Sequence, residues 1–330
     1  MKYECALKST FWLMACVLLA GCPTEPGSES DGGSESTEDA DGGAEPAGDG
    51  GSLDTVDGGG EELDTTRDPA CTEGNWVVQL SGEVLDQNEN GVSEARVQIC
   101  VRTSPDEQFL CLQPKQVNAD GSFAYVFPDP ARCVYKATAR VFVPTGDTTT
   151  AYCHLDLRED VPLLEVGHPY TLVNTAAPTT LPTLGAGDAI HTLVFSDGLE
   201  VDVQPDLLGF GYETIYPTLA AAFLSSDSAA ICLEPDLGID FVGFYGFSPE
   251  KNVQGAPYTM RIPTAGLTLT GTSVDIYALG GLTCKTEDDE LIPEGDWVKV
   301  ATGTVSSDGT YIESDALNCF GTIGIANPNE

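Results

Sequence analysis

Asp86, Asn88 and Asn90, followed by Gly91, place side-chain oxygens at every second position, the spacing that opens a calcium-binding EF-hand loop. Such a loop needs a bidentate glutamate at its twelfth position, where this chain has Val97. A β-turn explains the run better, and weak calcium binding by these three residues is the second reading. His154, His168 and His191 are the only histidines, and none has a cysteine or acidic partner at metal-ligand spacing along the chain. Neither a Gly-x-Ser-x-Gly elbow nor a phosphate-cradling glycine loop closed by Lys and Ser/Thr occurs. Glu287-Asp288-Asp289-Glu290 and Glu159-Asp160 are the densest acidic clusters of the expected folded part, and paired carboxylates are what a glycosidase requires. Both lie among turn residues, so solvated loops are expected there. The sequence offers no catalytic set, and a non-enzymatic protein is expected.

Cys22 carries a more specific chemistry. Lys2 and Lys8 precede an apolar run over 11–20, too short to cross roughly 30 Å of hydrocarbon as a helix. Leu19-Ala20-Gly21-Cys22 closes that run with small residues before a thiol. The segment resembles a bacterial lipoprotein signal, which implies removal of 1–21, cleavage between Gly21 and Cys22, and lipid on Cys22. An ordinary secretory signal with a chance cysteine is the alternative. Each buried CH₂ of an acyl chain contributes about 0.8 kcal/mol, so two or more chains hold a protein on a membrane. The implied location is the cell envelope, lipid-anchored, most naturally at the outer membrane.

Setting aside Cys5, Cys16 and Cys22 leaves Cys71, Cys100, Cys111, Cys133, Cys153, Cys232, Cys284 and Cys319. An even set in an exported chain reads as four disulfides, and no Cys-x-x-Cys favours zinc instead. Cys100 and Cys111 flank a turn-like Thr103-Ser104-Pro105-Asp106 stretch, so a bridge across a hairpin is expected there. Five of the eight precede residue 160 and three follow it, so full pairing requires at least one bridge between the halves.

The formal charge is −38, of which 15 acids and one arginine fall within 23–70. Polyanionic composition excludes nucleic acid as a partner and disfavours anionic headgroups. Residues 22–70 are dominated by Gly, Asp, Glu, Ser and Thr and lack the apolar area to offset chain entropy, so a disordered acidic linker is expected. As a flexible coil such a linker reaches roughly 35–40 Å and would act as a spacer.

From residue 76 onward the pattern is that of strands. Runs over 76–85, 95–101, 121–127, 134–143 and 148–157 alternate or fall at hairpin spacing, predicting an antiparallel β-sandwich over 71–160. Asn90-Gly91 and Asp120-Gly121 suit turn positions with positive φ. Ser81-Gly82-Glu83-Val84-Leu85-Asp86, Asn90-Gly91-Val92-Ser93-Glu94-Ala95-Arg96-Val97 and Asn118-Ala119-Asp120-Gly121-Ser122-Phe123 together resemble a carboxypeptidase regulatory-like domain. That resemblance implies a transthyretin-like sandwich with an accessory, structural or binding role.

Residues 161–188, rich in Pro, Thr, Ala and Gly, read as a semi-extended linker or a meandering strand. A second β-rich domain is expected over 189–330, with strands at 191–203, 239–247, 258–262, 274–279, 297–305 and 320–326. The three alanines of 217–224 suggest one short helix with proline at its first position. Tyr258-Thr259-Met260-Arg261-Ile262-Pro263, Trp297-Val298-Lys299-Val300 and Gly303-Thr304-Val305-Ser306-Ser307-Asp308-Gly309-Thr310 are similar, more weakly, to ZU5-like domains, implying a non-catalytic interaction module.

The expected protein is thus all-β: two disulfide-stabilised antiparallel β-sandwich domains behind a disordered tether, acting as a non-enzymatic envelope lipoprotein with no cofactor. Its protein or glycan partner stays open. One alternative is an adhesin or carbohydrate-binding lipoprotein using Tyr212, Tyr216, Phe244, Tyr245 and Phe247, residues that otherwise fill the second core. The other is an accessory subunit of an exported hydrolase.

Overall fold

The structure, a computed structural model, describes residues 63–157, 161–182, 189–204, 218–233, 237–253, 257–281 and 284–329. Among them the chain is all-β, and its one helical element is the 3-10 turn Asp129–Ala131. No helix among the described residues is long and apolar enough to cross a membrane. Glu61–Glu330 form one compact unit built around two large apolar cores.

The first half is a sandwich. Its first strand, β1 (Asn75–Trp76), pairs with β7 (Cys133–Val134). In one main sheet, β2 (Gln79–Asp86) pairs antiparallel with β6 (Ser122–Val126). In the other, β3 (Arg96–Arg102) carries the short β4 (Leu110–Cys111) and β5 (Lys115–Gln116) along one edge. Its other edge pairs with β8 (Lys136–Phe142), which pairs in turn with β9 (Ala151–His154). Alternation decides the faces. Val97, Ile99 and Val101 of β3, Ala137, Ala139 and Val141 of β8, and Leu80 and Val84 of β2 meet in the buried core.

Part of the stretch expected as a linker completes this sandwich. β10 (Leu163–Glu165) and β11 (Tyr170–Leu172) run parallel to β2, opposite Gln79–Ser81 and Val84–Asp86 respectively. The first sheet is therefore mixed and extends past the expected antiparallel boundary at 160. The interruption between β10 and β11 holds Gly167, His168 and Pro169. The turn residues also differ from expectation in one respect. Gly121 has φ +85°, as expected, but before Gly91 the positive φ belongs to Glu89 at 64°. Gly91 is required by proximity instead, since a Cβ there would lie 2.1 Å from the Asp120 carbonyl oxygen.

The second half is a ten-stranded antiparallel sheet. Its strands are β12 (Thr179–Thr180), β13 (His191–Val194), β14 (Glu200–Val203), β15 (Thr218–Ser225), β16 (Phe241–Asn252), β17 (Thr259–Pro263), β18 (Ser273–Leu279), β19 (Trp297–Val305), β20 (Tyr311–Ser314) and β21 (Cys319–Ala326). Their order is β12-β15-β16-β21-β18-β19-β20-β17-β14-β13. The sheet curls around its core until its end strands meet, where the Thr179 hydroxyl donates to the Val194 carbonyl at 3.0 Å. Val201, Phe247, Tyr258, Ile276, Ile312, Phe320 and Ile323 fill the interior.

Two expectations are corrected here. The run expected as one strand over 191–203 is a hairpin, with Asp197-Gly198 turning between β13 and β14 and Gly198 at φ +90°. The expected helix at 217–224 is strand β15 over its described residues, paired with β16 on one side and β12 on the other. An unbroken apolar run carries no period, and pairing on both edges overrides alanine's helical preference.

Candidate functional site

The ionisable residues that the fold gathers lie where the two halves meet. On β8 and β9, Lys136, Thr138, Arg140, Tyr152 and His154 occupy the positions alternate to the core residues, so they form one polar sheet face. The register sets Gln98, Arg140 and Tyr152 side by side in one row, and Cys100, Thr138 and His154 in the next. The second half covers this face with acids. Glu250 comes from an irregular stretch of β16, where its pairing with β21 shifts register between Gly246 and Lys251. Glu294 and Asp296 come from the loop that leads into β19.

Arg140 is the centre of the first row. Its guanidinium contacts Glu250 Oε2 at 2.8 and 3.2 Å through Nη2 and Nε, and the Tyr152 hydroxyl donates to the same oxygen at 3.1 Å. The side chains of Arg140 and Glu250 are 10% and 7% exposed, so the pair is desolvated. Burial alone would disfavour the Arg140 charge, but the Glu250 and Glu294 carboxylates outweigh it and hold the guanidinium protonated. Burial, with Glu250 beside it, raises the Tyr152 hydroxyl pKa far above the usual phenol range.

In the second row the His154 ring bridges two groups. Its Nδ1 lies 3.2 Å from Thr138 Oγ1, and its Nε2 lies 3.3 Å from Asp296 Oδ1. Lys136 Nζ reaches the same Asp296 oxygen at 2.8 Å. Burial would raise the Asp296 pKa, but the hydrogen bonds and charges of His154 and Lys136 prevail and lower it. An acid, an imidazole and a hydroxyl in line resemble a nucleophile triad, but the hydroxyl is wrongly placed for one. Thr138 is 1% exposed, and its Oγ1 also lies 3.2 Å from the Glu294 carbonyl oxygen as donor. This close approach depends on glycine. Gly295 has φ +79°, and a Cβ there would stand 2.9 Å from Thr138 Cγ2.

All eight cysteines expected in bridges are paired: Cys71–Cys133, Cys100–Cys111, Cys153–Cys232 and Cys284–Cys319. The hairpin bridge falls where the turn at 103–106 placed it, and Cys153–Cys232 joins the halves as the cysteine count required. This bridge leaves β9 on the face opposite His154, so the second half holds β9 from both sides.

Of the other candidates, Asp86 is engaged in its own turn. Its Oδ1 accepts the Asn88 and Asn90 amides at 2.7 and 2.9 Å, and Asn90 Nδ2 donates to Oδ2 at 3.1 Å. The backbone and side chain of Asn90 are the main causes that lower its pKa. His191 opens β13, opposite Val203. His168 lies between β10 and β11 with Nε2 3.6 Å from Cys232 Sγ. Phe244, Tyr245 and Phe247 are buried rather than displayed. Asp288, Asp289 and Glu290 sit in an exposed turn closed by the bridge between Lys285 and Leu291. Gly21, Cys22, Glu159, Asp160, Tyr212 and Tyr216 lie outside the described residues.

Sequence reasoning missed the junction. Lys136-x-Thr138-x-Arg140 was legible as one face of a strand, but a polar face is ordinarily assigned to solvent. The acids that cover it stand 110 to 160 residues away along the chain.

No family model matches the chain, and no curated protein does. Among solved structures the chain is similar to a point variant of the shaft pilin spaA from Lactobacillus rhamnosus GG, at 11% identity. That match covers 68% of this chain and 94% of the pilin, with a TM-score of 0.23, too low to carry an argument about function.

Proposed function

We propose that this chain is a non-enzymatic lipoprotein of the cell envelope. Lipid on Cys22 anchors it, the acidic residues 22–70 space it from the membrane, and the folded β unit serves as a structural or binding module. The observation that carries this reading is the use made of the gathered ionisable groups. Arg140, Glu250, Tyr152 and Thr138 are buried against one another between the halves, so they lock the β unit instead of facing a substrate. The anchor rests on Leu19-Ala20-Gly21-Cys22, and an accessory role for the first half rests on its carboxypeptidase regulatory-like sequence pattern.

The test is fractionation of cells making the full chain or its Cys22→Ser variant, with a palmitate label and a globomycin-treated control. The full chain is expected in the membrane fraction with label, and the variant unlabelled and released. Retention of Cys22→Ser in membranes at the level of the unaltered chain would sink the anchor.

A further inference from the structure

Cys153, Cys232 and His168 come from three separate elements: β9, the turn that follows β15, and the break between β10 and β11. The Sγ atoms of the two cysteines and a ring nitrogen of His168 lie within 4.8 Å of one another. In the bridged protein the two sulfurs are bonded, with Cα atoms 5.1 Å apart. The His168 ring stands beside this bridge and also against the Tyr170 ring, 6.5 Å between centroids.

From this geometry we infer that the Cys153–Cys232 bridge, once reduced, becomes a zinc site completed by His168. Zinc is held by thiolate sulfur at about 2.3 Å and imidazole nitrogen at about 2.0–2.1 Å in a tetrahedron. Those two lengths and a tetrahedral angle put nitrogen and sulfur about 3.6 Å apart, and His168 Nε2 stands 3.6 Å from Cys232 Sγ. For both sulfurs to bind one ion they must separate to about 3.8 Å, and Cys153 Sγ, within 4.8 Å of the imidazole, must stand at the same roughly 3.6 Å from it. Two thiolates and an imidazole select a soft or borderline cation over calcium or magnesium. Three protein ligands leave a fourth position for water. A cleft of about 830 Å³ supplies it, lined by His154, Asp156, His168, Ile231 and Cys232.

The chemistry balances with a dithiol as reductant. The dithiol gives two electrons and two protons to the bridge and is oxidised to its own disulfide, leaving two cysteine thiols. Zinc then displaces both thiol protons and binds the thiolates. The link between the halves passes from a sulfur–sulfur bond to two sulfur–zinc bonds, so reduction does not untie β9 while the ion is present.

The test uses the full chain, purified oxidised, then reduced with a phosphine in the absence of metal and titrated with Co²⁺ as a spectroscopic probe. One cobalt per chain is expected, with thiolate-to-metal charge-transfer absorption that zinc abolishes. The oxidised chain should show none. His168→Ala, which keeps all eight cysteines, is the deciding variant because reduction also opens the Cys100–Cys111 bridge near Glu294. Its cobalt affinity should fall by at least about tenfold, since even outer-shell partners of a metal ligand contribute that much. Equal affinity in His168→Ala and the unaltered chain would overturn the inference, as would absence of the charge-transfer band. Alkylation followed by mass spectrometry gives an independent reading that needs no cysteine variant. Zinc should protect Cys153 and Cys232 in the reduced chain, and full labelling of both in its presence would count against the site.

Discussion

Arg140 shows how much one side chain can depend on a distant one. A buried ion pair gains little over an apolar pair of similar volume, yet removing one member leaves an uncompensated charge. Arg140→Met is therefore expected to lose about 3–5 kcal/mol in urea unfolding at neutral pH, because Glu250 is left buried and unpaired. Arg140→Met combined with Glu250→Leu should recover most of that loss. If the double variant is as unstable as the single one, packing and not charge holds the junction. The strand that carries Arg140 was legible from the alternation of Ala137, Ala139 and Val141 with polar residues. Its burial was not, because nothing local records that Glu250 arrives from a register shift in β16. The same holds for Gly295, whose positive φ and closeness to Thr138 are properties of the packed molecule.

At the level of elements, strands with a period of two were readable and those without one were not. β2, β3, β6 and β8 alternate, and their expected runs overlap the observed strands. β15 is buried on both faces, with Leu219 and Ala221 in the main core and Leu224 in a smaller cluster beside Phe241 and Phe244. That leaves Leu-Ala-Ala-Ala-Phe-Leu without alternation, and composition alone favoured a helix. β10 and β11 are three residues each, too short for a pattern, and exist because β2 offers them an edge. The position of β15 makes a direct prediction. Ala221, 2% exposed, packs within the main core, and Ala221→Leu should destabilise by about 1–3 kcal/mol through overpacking. Unfolding at equilibrium measures it, and an unchanged midpoint would contradict the strand's place in the sheet.

For the molecule as a whole, acid is the natural probe of how its halves are joined. The Asp296 pKa is lower in the folded chain than in the unfolded one, since Lys136 and His154 favour its charged form. Its contribution is present above the unfolded value of about 3.9 and is lost as pH falls through the lower folded value. The stability difference between the unaltered chain and Asp296→Asn should therefore shrink as pH drops from about 5 toward 2. A difference that stays constant over that window would remove Asp296 from the account of the junction. The broader charge works in the opposite sense, because protonating carboxylates in a chain of net charge −38 relieves self-repulsion. The variant comparison cancels that background.

The meeting of β12 and β13 at Thr179 and Val194 has a further consequence. A sheet of ten strands laid open would present two rows of unsatisfied amides and carbonyls, each a template for a neighbouring molecule's backbone. At the seam of the end strands, the Val194 carbonyl of that edge is taken up by the Thr179 hydroxyl of the same chain. Copies crowded side by side then find one acceptor fewer at that seam, and their shared net charge of −38 keeps them apart as colloids.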